Sequence, residues 1–149
     1  MKYIYLPIAC FLLIFSSCKK DEKEKFDITG IWNMTNYLEN GVNYTNNFSL
    51  YEADINANGT AELTQENGNL GYEQSYTYTL NEDQTTLSLN GVTQQTYDVT
   101  TLDDTSPLND YSSHSSTYSV SNFTNNTITL TMVSTTTSGI GSQVITLGK

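Results

Sequence analysis

Arginine is absent from this 149-residue chain and lysine is scarce, standing only at positions 2, 19, 20, 23, 25 and 149. Beyond residue 25, thirteen of the sixteen acids face a single lysine, so that part carries a net charge of about −12. A domain without arginine and nearly without lysine cannot neutralise a phosphate backbone or clamp a carboxylate bidentately. Nucleic acid, nucleotides and anionic sugars are thereby excluded as partners, while cations, neutral glycans and apolar small molecules stay open. The acidity itself keeps the chain soluble through self-repulsion.

Cysteine is equally sparse. Cys10 and Cys18 both lie near the N-terminus, so the remainder has neither a thiol nor a disulfide. The one histidine, His114, sits in Ser112-Ser113-His114-Ser115-Ser116 with Asp110 nearby. A nucleophilic triad needs its members held by rigid elements, and the chain has no Gly-x-Ser-x-Gly elbow. His114 therefore reads as a solvated loop residue, and no catalytic residue is assigned. Asp54-Ile55-Asn56-Ala57-Asn58-Gly59 matches the first half of a calcium loop, but the twelfth position is Gln65, where a bidentate glutamate belongs. Asp103, Asp104 and Asp110 share a long polar segment without the spacing of a cation motif. No metal and no cofactor is expected.

Only two prolines occur, and no stretch holds a helical apolar period over three turns. What is present is period two. Tyr76, Tyr78 and Leu80 alternate with threonines, as do Ile128, Leu130 and Met132; Leu87 with Leu89, Tyr97 with Val99, Tyr118 with Val120 and Ile145 with Leu147 add half-buried strands. Tyr51, Ala53, Ile55 and Ala57 alternate in the same way. Asn40-Gly41, Asn58-Gly59 and Asn90-Gly91 are the dipeptides of two-residue hairpins, and Gly68, Asn81–Asp83 and Asn125-Asn126 mark further turns. Strands about ten residues apart predict an all-β antiparallel sandwich or barrel, and consecutive hairpins favour an antiparallel up-and-down β-barrel of about eight strands. Thr100–Ser116 reads as a loop at one mouth.

The N-terminus has its own signature. Lys2 precedes an apolar stretch from Tyr3 to Phe15, followed by Ser16-Ser17-Cys18. The stretch is shorter than the about 20 residues that span a bilayer, and the order of charged, apolar and small residues is that of a secretory signal. Its ending resembles the lipobox of bacterial lipoproteins. That resemblance implies cleavage before Cys18 and lipidation of its thiol, and Cys18 then anchors the protein to a membrane. Lys20-Asp21-Glu22, in the charged run after Cys18, resembles the Lys-acid-acid export signal of surface lipoproteins in some Gram-negative bacteria. It implies an outer-membrane position facing the cell surface; a periplasm-facing position, or a plain charged tether, is the alternative. The organisation expected is a signal peptide over 1–17, a lipidated cysteine and tether over 18–25, and a barrel over 26–149.

Ile28-Thr29-Gly30-Ile31-Trp32 opens the barrel with Gly-x-Trp, and Ala57-Asn58-Gly59-Thr60 follows as a hairpin. These residues, with the late strands Tyr118–Val120 and Ile128–Leu130, resemble lipocalins and the lipocalin-like domains of bacterial lipoproteins. The resemblance implies that Gly30 and Trp32 begin the first strand and that the indole plugs the closed end. The arginine that lipocalins pack over this tryptophan is missing here, so the likeness is to the looser lipocalin-like class.

Nine of the eleven tyrosines lie beyond the leader. Tyrosine packs on a half-buried pleat while its hydroxyl reaches a partner. Tyr76, Tyr78, Tyr97 and Tyr118 are accordingly the candidates to line a ligand site at the barrel mouth. The expected function is a non-enzymatic lipoprotein binding a small apolar or neutral ligand, a neutral glycan included. The alternative is an adhesion or interaction component of a surface protein complex, without a small-molecule ligand.

Overall fold

Alternating apolar and threonine-rich positions close into a cylinder in this protein. The computed structural model describes residues 25–136 and 141–149. Its strands are β1 (Gly30–Glu39), β2 (Val42–Asn43), β3 (Leu50–Ile55), β4 (Thr60–Asn67), β5 (Leu70–Leu80), β6 (Thr86–Asp98), β7 (Asn109–Asp110), β8 (Ser115–Ser121), β9 (Thr127–Thr135) and β10 (Gln143–Gly148). Eight of them run in the order β10-β9-β8-β6-β5-β4-β3-β1, and β10 pairs back onto β1. Every pairing is antiparallel. The fold is thus a closed eight-stranded up-and-down barrel, with the two-residue strands β2 and β7 appended to β1 and β6. Closure leaves no full-length strand edge unpaired. No helix among the described residues is long and apolar enough to cross a membrane.

Bulges decide which side chains face inward, because one extra residue reverses the alternation. In β1 the register shifts between Met34 and Asn36, so Trp32 and Tyr37 are both buried despite opposite parity. In β6 the partner of Tyr76 is Gly91 and that of Ser75 is Thr93, which leaves Val92 as the extra residue. Leu87 and Leu89 before this bulge belong to the core, while Tyr97 beyond it lies outside the core cluster. Strict parity counted from Leu87 and Leu89 would turn Tyr97 inward, and the extra residue reverses it.

Two expected hairpins also differ. Asn40-Gly41 does make a tight turn, with φ of 50° and 79°, joining Glu39 to Val42 across the ladder. Asn58-Gly59 instead closes a longer connection. Gly59 N–H donates to Asn56 O at 3.2 Å and Asn56 N–H to Thr60 O at 2.8 Å, with positive φ at Gly59 alone. That is a three-residue loop with a glycine bulge, and Ala57 is exposed in it. Asn90-Gly91 is no turn at all. It runs through the middle of β6, and Gly91 is there because a Cβ would collide with the carbonyl and ring of Tyr111. Val99 falls just past β6, in a turn.

The end of the barrel where the described chain begins is sealed. Trp32 is wholly buried, its indole N–H donates to Ile28 O at 2.7 Å, and Phe123 packs between it and Phe26. Gln84 holds Phe26 from both sides, accepting from its N–H at 2.9 Å and donating to its carbonyl at 2.6 Å. The missing arginine has a substitute in Lys149, whose Nζ stands 4.5 Å from the centre of the Trp32 ring. Ile55, Leu87, Ile128, Leu130, Ile145 and Leu147 join Trp32 in the core.

Candidate functional site

At the opposite end, the inward faces of the strands are polar and aromatic, and they do not fill the barrel. A cavity of about 210 Å³ opens between the start of β3, the end of β4, the start of β5 and the segment leading into β8. Phe48, Tyr51, Tyr76, Tyr111 and Tyr118 supply its rings, Gln65, Gln74 and Gln143 its carboxamides, and Leu63 and Met132 its aliphatic surface. Among the described residues no Asp, Glu, Lys or Arg lines it.

Gln74 is the hub. Its Nε2 donates to Gln94 Oε1 at 2.8 Å and to the Tyr111 hydroxyl at 3.3 Å, while its Oε1 accepts from Tyr76 at 3.0 Å and from Gln65 Nε2 at 3.2 Å. Four bonds exhaust a carboxamide, so Gln74 is fully committed to holding its neighbours. Gln143 Nε2 donates to the Tyr37 hydroxyl at 2.7 Å on the other wall. The rings brace one another: Tyr76 meets Tyr111 edge-on with centroids 5.9 Å apart, and Phe48 meets Tyr37 and Tyr51 likewise at 5.4 and 5.6 Å.

Burial pushes the Tyr37 hydroxyl up to about 12, with the nearby Glu39 charge adding to the effect. It raises Tyr51, Tyr76 and Tyr118 as well, in each case chiefly because a phenolate would lose its hydration. All four are therefore neutral hydroxyls at physiological pH.

Of the four tyrosines put forward as ligand-binding, the structure brings Tyr76 and Tyr118 to the cavity and leaves Tyr78 and Tyr97 away from it. Tyr78 packs against the core on the sealed side and donates to Asn56 O at 3.0 Å. Tyr97 faces outward because of the Val92 bulge; its ring covers Gly71 and its hydroxyl donates to Glu66 Oε1 at 3.0 Å. Burial and that hydrogen bond push it up to about 12. Gly30 and Trp32 stand at the sealed end, and neither lines the cavity. Cys18, Lys20, Asp21 and Glu22 lie outside the described residues.

His114 needs correction. It is half-buried rather than solvated, lines the cavity and stacks on Tyr111 with centroids 3.8 Å apart and planes 8° from parallel. Its carbonyl accepts from Gly91 N–H at 2.7 Å, which ties the lip of the mouth to the glycine in β6. The Thr100–Ser116 segment is not irregular throughout either, since it contains β7 and the start of β8. Asp110 does not turn toward His114: its Oδ1 accepts from Ser112 N–H at 2.8 Å. Among the described residues no three His, Cys, Asp or Glu side chains converge to hold a metal ion.

Sequence reasoning missed Gln65, Gln74 and Gln143. Gln74 was within reach, since it continues inward parity two residues before Tyr76. Polar residues on an inward face mark where a core stops being a core.

The family model described as a lipocalin-like domain matches residues 28–106 of this chain, more than half of its length. No curated protein matches it.

Proposed function

The chain belongs to the lipocalin-like domain family, and from that membership we propose that it is a non-catalytic binding protein whose ligand enters the open end of the barrel. The observation that carries this reading is the cavity itself: about 210 Å³, walled by aromatic rings and carboxamides and free of charged side chains. Such a lining suits a small uncharged ligand, with the rings supplying contact area and the amides fixing orientation.

We further propose that the protein is held at the outer membrane by a lipidated Cys18 after removal of residues 1–17, with 18–25 as a tether and Lys20-Asp21-Glu22 directing it to the cell surface. The described chain enters the barrel at the sealed end, where Gln84 grips Phe26. A tether fixed there leaves the mouth facing away from the bilayer. The anchor is tested by Cys18→Ser, which is expected to release the protein from membranes; unchanged retention and unchanged mobility overturn it.

Native mass spectrometry of the protein isolated from its own host tests the binding reading. A small co-purifying mass, lost on denaturation, is the expected result. A clean ligand-free mass with a stoichiometric protein partner would overturn it in favour of an interaction module. That second reading rests on Leu102 and Leu108, which are 71% and 63% exposed on the segment between β6 and β7.

A further inference from the structure

The cavity's free hydrogen-bonding capacity narrows its ligand further, and the narrowing rests on the binding reading above. We propose that the site takes a neutral, polyhydroxylated ligand the size of one sugar ring. At about 30 Å³ per water, a cavity of 210 Å³ gives up roughly seven waters, which is room for a single ring.

The commitments of Gln74 determine what the other groups can offer. Tyr76 gives its proton to Gln74, Tyr111 receives one from Gln74, and the two hydroxyls also bond each other, so both are held within the wall. Gln65 and Gln143 each spend one N–H on a neighbour and keep their carbonyl oxygens. Tyr51, deep in the wall, has no hydrogen-bond partner among the described residues and can both give and accept. One small space thus presents both donors and acceptors, with no Asp, Glu, Lys or Arg among its described lining residues.

A hydroxyl group answers both kinds, and a sugar ring carries several around an apolar C–H face that lies well on the rings of Tyr111, Tyr76 and Phe48. An alkyl chain would displace the water from these groups and leave them unpaired, which disfavours it. A carboxylated or phosphorylated sugar would find no lysine or arginine in the wall among the described residues.

The test is saturation-transfer NMR on the full chain in a zwitterionic, sugar-free detergent. The probes are the methyl glycosides of glucose, galactose, mannose and N-acetylglucosamine, with decanoate and p-cresol alongside. At least one glycoside is expected to receive saturation, strongest at its ring C–H protons. Tyr51→Phe is expected to weaken that binding about ten-fold without lowering the melting temperature, and Leu63→Trp, which fills the cavity, to abolish it. Binding of decanoate or p-cresol, sensitive to Leu63→Trp, with no glycoside binding overturns the sugar assignment and leaves the binding reading standing. A glycoside signal indifferent to both substitutions locates the sugar elsewhere and overturns it too, as does silence from every glycoside.

Discussion

Lys149 covers Trp32. Its ammonium lies 4.5 Å from the centre of the indole ring and donates to the carbonyl of Thr29 at 2.7 Å, so one side chain ties the last strand to the segment entering the first. Trp32 has no exposed surface, and the cation is the lid on its outer side. Lys149→Met keeps the aliphatic stem and removes the charge and the hydrogen bond. It is expected to cost about 1–2 kcal/mol, read as a lower urea midpoint at unchanged m-value. Lys149→Arg should retain most of that stability, because a guanidinium stacks on an indole at least as well.

Gly91 is the hinge between barrel and lip. Its N–H donates to His114 O, and the space a Cβ would need is taken by Tyr111. Gly91→Ala is expected to destabilise the protein by about 1–3 kcal/mol through overpacking and to shift the NMR signals of Tyr111 and His114. Gly41→Ala is the contrast. Nothing stands within 4 Å of its Cβ position, so only the backbone strain at φ +79° remains, and the lip signals should not move.

These two sites show how far the amino-acid sequence reaches. Alternation fixed the class of fold, since a face of Leu87, Leu89, Ile128 and Leu130 is buried by a second sheet or by a sheet curled on itself. Gly-x-Trp located the sealed end. The bulges at Thr35 and Val92 could not be read, because a bulge is one inserted residue whose effect is seen only in its partner strand. Tyr97, beyond the second bulge, lies outside the core cluster. Asn90-Gly91 has the chemistry of a turn, yet close approach by Tyr111 asks for glycine just as firmly as positive φ does. His114 looked solvated in its run of serines, yet the turn closed by its N–H on Tyr111 O stacks the two rings.

Gln74 should behave as the keystone of the cavity wall. Gln74→Leu has similar bulk but removes four hydrogen bonds at once, those to Gln94, Tyr111, Tyr76 and Gln65. Water in the cavity can re-satisfy part of this set, so the expected cost is about 1–3 kcal/mol rather than the sum of four losses. Gln74→Glu keeps the acceptors and introduces a charge among buried phenols, and it should be the more damaging of the two near neutral pH. Thermal denaturation of both variants beside the parent gives the ranking. An equal or reversed order would mean that the wall is hydrated enough to solvate a carboxylate.

The buried tyrosines set the alkaline limit of the fold. Tyr37 and Tyr97 are pushed up to about 12, and Tyr51, Tyr76 and Tyr118 are also raised, all chiefly by burial. In the unfolded chain each titrates near the ordinary value of about 10. Between those values the folded state holds more protons than the unfolded state, so stability must fall as pH rises. It is whole below the unfolded pKa of about 10 and is lost progressively as pH climbs toward about 12. Acid and neutral solutions should show no dependence from this source. Urea midpoints across that alkaline range, followed together with tyrosinate absorbance, are expected to fall in step with a late-titrating class of phenols. Tyr37→Phe should flatten part of the fall, since it removes one of the raised groups while keeping the ring that packs on Phe48. A midpoint that stays level while every phenol ionises near its ordinary pKa would show that the cavity wall opens to solvent before it titrates.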